Sequence, residues 1–121
     1  MMLLSREDIL LAEDLKKERV EIPEWGGYVY VSTMTGLARD KYESSLLAKD
    51  EEGKHVQDLK NMRAKLVCAT VVDDQGNLLL NEEDVEAIGG KNAAVLDRIT
   101  EASSKLNAVT DEDLEEIAKN S

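Results

Sequence analysis

The chain has 121 residues, 26 acidic against 15 basic, for a formal net charge of −11. That length fits one domain with a single modest core. The charge opposes nucleic acid, whose binding draws on Lys and Arg neutralising phosphate, and it opposes anionic membranes. Aromatic residues are 3% of the chain and Phe is absent, so packing falls to Leu, Val, Ile, Ala and Met.

The opening MMLLSREDILLAEDLKKE lacks the basic stretch of a signal peptide. Ser5 followed by Asp8 reads as a capping box, with Glu7 and Asp8 near the positive end of a helix dipole. A helix from Arg6 to about Lys16 is expected, with Ile9, Ala12 and Leu15 on one side and Leu10 and Leu11 widening it. The period then changes. Val20 and Ile22 alternate with Glu21, Pro23 ends the strand, EWGG turns, and YVYVS returns as a second strand. Tyr28 and Tyr30 share one face, Val29 and Val31 the other.

Thr35 or Thr33 caps a helix from about Gly36 to Lys49, with Leu37, Tyr42, Leu46 and Leu47 inward. KDEEGKH is a charged break. A long helix is expected from about Val56 to Val72, with a stripe of Val56, Leu59, Met62, Arg63, Leu66, Val67 and Thr70. Ala64, Cys68, Val71 and Val72 lie on its opposite side. A helix apolar almost all round is central, or a second chain covers it. DDQGN is a turn, and Leu78 to Leu80 a short apolar link with some strand character. Asn81 with Asp84 caps a brief helix ended by Gly89–Gly90. Asn92 to about Ala108 is helical, with Val95, Ile99, Ala102 and Leu106 in one row, and Thr110 with Asp113 caps a last helix over 111–119. The expected fold is mainly α (α+β): a single domain over 1–121, with an N-terminal helix in 1–18, a β-hairpin in 19–34, and a helical region over 35–121 forming a bundle of about four to five helices.

No constellation for catalysis is found. Cys68 and His55 are the only Cys and His, too few for a zinc site, and Cys68 reads as a small packing residue. A calcium loop starting at Asp73 fails in register, because Gly76 falls at its fourth position. Gly89–Gly90 lacks the Lys and Ser or Thr of a phosphate loop. No catalytic, metal or cofactor residue is assigned. What remains is surface. Trp25, Tyr28 and Tyr30 gather in a small hairpin, and aromatics are enriched at interface centres. Trp25 divides evenly between interface and core; Tyr28 and Tyr30 lean to the core. Met34 is an adaptable contact, and Ala64, Cys68, Val71 and Val72 are candidates for contact with a second chain, hence a homo-oligomer.

MLLSREDIL, then VEIPEWGGYVYVSTMTG, then a helix opening LARDKYE resembles the tail assembly chaperones of long-tailed, lambdoid bacteriophages. The likeness is strongest over residues 2 to 43 and extends to the turn at Asp73 to Leu79. It implies a non-enzymatic protein that coats the tape measure protein in the host cytoplasm and is absent from the mature virion. It also implies a longer form, made by −1 ribosomal slippage, that recruits tail tube protein. Ala118-Lys119-Asn120 is compatible with a slippery heptamer, A-AAA-AAC. The competing reading is a small acidic adaptor or inhibitor of a basic host protein.

Overall fold

The structure is a computed structural model that describes residues 1–108. In chain order these form α1 (Arg6–Leu11), β1 (Lys17–Ile22), β2 (Gly27–Ser32), α2 (Gly36–Ser45), β3 (Leu47–Lys49) and β4 (His55–Gln57). There follow α3 (Met62–Thr70), β5 (Val71–Val72), α4 (Val85–Gly89) and α5 (Ala93–Asn107), with 3-10 turns at Pro23–Trp25 and Glu82–Asp84. The fold is mixed α+β, with five α-helices among the described residues and a small antiparallel sheet. The helix expected over 111–119 lies outside the described residues.

The hairpin forms where Val and Ile alternate with charge. Val20 pairs with Val29 and Arg19 with Tyr30, and the strand stops at Ile22 because Pro23 has no N–H to continue the ladder. The hairpin does not stand alone. Val71 and Val72 pair with Val31 and Tyr30, giving a three-stranded sheet in the order β1-β2-β5. One face of this sheet is apolar and packs on α5. Val20, Ile22, Val31, Val67, Val71, Val95, Leu96 and Ile99 form the main core. The row predicted for α5 is the row that packs: Val95 and Ile99 are fully buried, with Ala102 and Leu106 against them. Asn92 caps that helix by accepting from the Ala94 N–H at 2.8 Å.

The helix expected from Val56 to Val72 is three elements: β4, α3 and β5. Two features break it. Asp58 donates its N–H to the Leu46 carbonyl and accepts from the Lys60 N–H, and Asn61 then adopts a left-handed backbone at φ 60°. Asn tolerates that conformation, but a continuing helix does not pass through it. Val56 and Leu59 are consequently exposed. The preceding helix also ends early, at Ser45, and Leu47–Lys49 pairs with His55–Gln57 as a second small hairpin. Leu37, expected inward, is exposed; Tyr42 and Leu46 are buried with Leu66 in a second cluster that Met34 and Met62 border.

The charged break is the turn of that second hairpin, and it repeats the build of DDQGN. The Asp50 carboxylate accepts from the Glu52 and Lys54 N–H groups, and the Asp73 carboxylate from those of Gln75 and Asn77, all at 2.9 Å. Each turn closes with a glycine three positions on, Gly53 at φ 80° and Gly76 at φ 87°. Only glycine enters that region without a steric penalty.

A polar seam ties α5 to the rest. Asn107 donates to the carbonyls of Ser32 (3.1 Å) and Ser103 (2.9 Å), and its Oδ1 accepts from the Met34 N–H (2.6 Å). Arg39 of α2 donates to the Asn107 carbonyl at 2.8 Å. Deeper in, the Thr70 and Ser103 hydroxyls meet at 2.8 Å, and Thr70 donates to the Leu66 carbonyl at 2.7 Å. Among the described residues no buried side-chain polar atom lacks a partner, as a low-dielectric interior requires.

Candidate functional site

The predicted surface residues separate into two groups. Ala64, Cys68, Val71 and Val72 are interior positions, exposed by 1%, 6%, 4% and 3%. The apolar character of α3 is satisfied by contacts with α2, α4 and α5 within one chain. These four residues therefore meet no other protein unless the fold opens, and they give no reason to invoke a second copy. Met34 is half-buried beside Tyr42, Leu46 and Leu66.

Trp25, Tyr28 and Tyr30 are brought together on the hairpin. Trp25 closes the 3-10 turn and Tyr28 stands on the outer face of the sheet; both are exposed, at 42% and 46%. The lean of Tyr28 toward the core is therefore corrected, since the alternation that sends Val29 and Val31 inward sends Tyr28 and Tyr30 outward. Tyr30 is half-buried, next to the buried Val72 on the neighbouring strand. The two rings meet edge to face, with centroids 5.5 Å apart and planes at 80°. Each also carries a cation. The Arg19 guanidinium lies 3.6 Å from the Tyr28 centroid and the Lys17 ammonium 4.7 Å from that of Tyr30. Arg19 is held in place by a 2.6 Å bond to Glu21, which together with the nearby ring hydroxyls favours its charged form. Lys17 also donates to the Asp74 carbonyl. Each ring thus has a cation of the same sheet over it and leaves its hydroxyl at the outer face.

The first fifteen residues form a second surface, one that reading the sequence did not single out. Alpha helix α1 buries none of its residues. Ile9, Leu10 and Leu11 on the helix, and Leu4 and Leu15 on either side, are all more than half exposed. The capping box is present: Ser5 accepts from the Asp8 N–H at 3.2 Å and its own N–H donates to the Asp8 carboxylate at 2.9 Å. Those bonds hold the Asp8 carboxyl below the usual carboxylate range. The cap forms as expected, but the helix expected to run to about Lys16 ends at Leu11, where Ala12 turns extended, and its apolar side chains are left open.

Burial, with the Asp84 carboxylate adding to it, pushes the Cys68 thiol up to about 11, and a thiol is a weak nucleophile beside its thiolate. His55 is exposed on β4, opposite Lys49. Among the described residues no group of three or more His, Cys, Asp or Glu is placed to hold a metal ion. None of their helices is long and apolar enough to cross a membrane.

Residues 9–120 match the family model described as phage tail assembly chaperone. The fold is similar to the solved structure of the bacteriophage HK97 tail assembly chaperone, with a TM-score of 0.57, 16% identity, and coverage of 87% of this chain and 95% of that one. At that identity the likeness is one of fold. No curated protein matches the chain.

Proposed function

Because the chain belongs to the phage tail assembly chaperone family, we propose that it binds and solubilises the tape measure protein until tail tube subunits polymerise around it. The observation that carries this reading is the family match over residues 9–120. A role in tail assembly without catalysis accords with that family. Holding a long helical client calls for apolar surface rather than a reaction pocket. Each copy binds weakly enough for tube protein to displace it, and many copies on one template gain strength through linkage. A net charge of −11 keeps such a crowded coat in solution. The site of action is the cytoplasm of the infected host, and the protein is left out of the virion. A longer form, made by −1 slippage near the codons for Ala118-Lys119-Asn120, brings tube protein to the complex.

Co-expression with the tape measure protein of the same phage tests the central claim. The tape measure protein is expected to move from the pellet to the soluble fraction and to co-purify with this chain. A tape measure protein left insoluble, or recovery of one folded host protein in its place, overturns the reading. The slippage is tested on the gene itself: AAG-AAT at Lys119-Asn120, with no other slippery heptamer nearby, removes it.

A further inference from the structure

We propose that the first fifteen residues are the element that grips the client: exposed apolar side chains set among carboxylates, taking an amphipathic helix whose apolar stripe is bordered by lysine or arginine. This rests on the chaperone reading above and names its binding surface. Two observations converge on the arm. Its apolar side chains are open to solvent, and helix α1 buries nothing. That helix is nonetheless specified, by the Ser5–Asp8 capping box, at a length too short to be stable in isolation. A surface that is shaped in advance and completed by contact has these properties.

Charge selects the occupant. Glu7 and Asp8 open the helix, and Glu13 and Asp14 follow it, all of them exposed. They outnumber Arg6 and Lys16 along the same stretch. The arm of a second copy would bring like charge, the same Glu7, Asp8, Glu13 and Asp14. An anionic lipid surface would do the same. A helix with basic flanks meets both the exposed apolar side chains and the carboxylates among them. The outer face of the sheet is a weaker candidate, because Arg19 and Lys17 of the same chain already sit over its rings and give that face positive charge.

The test uses two synthetic 18-residue helices of the same apolar spacing, one of Leu and Lys and one of Leu and Glu, titrated into the full chain by calorimetry. The Leu/Lys peptide is expected to bind at least tenfold tighter than the Leu/Glu peptide and than a scrambled Leu/Lys control. The triple variant Ile9→Ser, Leu10→Ser, Leu11→Ser is expected to lose at least tenfold of that affinity while its thermal midpoint stays put. A second variant, Glu7→Lys, Glu13→Lys, Asp14→Lys, keeps the apolar side chains and is expected to reverse the preference toward Leu/Glu. Unchanged binding by the triple variant overturns the proposal, as does equal binding of scrambled and periodic peptides. So does loss of self-association in the triple variant with peptide affinity intact, which would make the arm a contact between copies. Failure of the wild-type chain to solubilise the tape measure protein would instead sink the chaperone reading, whichever way the peptides behave.

Discussion

Helices α1 and α5 begin alike and end differently. Each starts at a side-chain oxygen cap, Ser5 for one and Asn92 for the other, and each carries Leu and Ile. Yet Ile99 is fully buried, while Ile9, Leu10 and Leu11 are exposed by 60%, 64% and 80%. The cause lies outside the helices. The row on α5 meets a sheet whose inner face presents Val20, Ile22 and Val31, and α1 is followed by an extended backbone at Ala12 that leads away into β1. Apolar spacing therefore says that a helix needs cover, and leaves open whether its own chain provides it.

The sharpest way to break this contrast is a pair of truncations. Ile99→Ala empties a site in the core and is expected to cost about 2–5 kcal/mol. Ile9→Ala removes a side chain that touches no core and is expected to change stability by less than about 0.5 kcal/mol. Denaturant midpoints of the two variants measure both. Equal losses would place the arm within the cooperative unit of the body, and the contrast would fall.

The parts of the fold that were legible in the sequence share a feature: a period sustained long enough to be unambiguous. The β1–β2 alternation and the Val95–Ile99–Ala102–Leu106 row are of this kind. The stretch from Val56 to Val72 was misread because its apolar residues fit a helical stripe, while its breaks are single residues. Asn61 in a left-handed backbone and the Asp58 turn carry no periodic signal. The second hairpin was hidden for a related reason: β3 and β4 have three residues each, and Asp50–Gly53 looks like mere charge until it is set beside Asp73–Gly76. In the candidate surface, the outward turn of Tyr28 follows from alternation and could have been deduced. Burial of Ala64 and Cys68 could not, since it depends on three other helices converging on α3.

The polar seam offers a smaller test on the body side. Asn107→Ala leaves the Met34 N–H and the Ser32 and Ser103 carbonyls short of a partner. Leaving a buried polar group unpaired costs about 1–3 kcal/mol, and loss of that order in the unfolding free energy is expected. An effect near zero would mean that water replaces Asn107, and that the end of α5 belongs with the loosely held parts of the molecule.

On the arm side, Ser5→Ala removes the cap oxygen, a change that costs a helix about 0.5–2 kcal/mol. Here the loss is expected to stay local. Amide exchange should quicken over Arg6–Leu11, while the global midpoint and the exchange of α5 stay as they were. A shift of the global midpoint would count against the separation of arm and body.

The smallest expected effect is electrostatic, and it compares two carboxylates whose acidity is raised by different means. Glu24, in the turn of the hairpin, accepts two bonds from the Arg98 guanidinium of α5, at 2.8 and 2.7 Å, which lower it from 4.5 to about 2. A carboxylate lowered by folding stabilises the fold above its unfolded value and loses that contribution as pH falls through its folded value. The difference in thermal midpoint between wild type and Glu24→Gln should therefore be constant above about pH 5. It should shrink from pH 4.5 downward and vanish only below about pH 2. Both groups are exposed, so the difference is small and added salt should reduce it further. Asp8 is lowered by Ser5 instead, within the arm, and its protonation should loosen α1 without moving the midpoint of the body. A wild-type-minus-Gln difference as large at pH 2 as at pH 7 would show that Glu24 acts through packing, and would remove the charge-based tie between hairpin and α5.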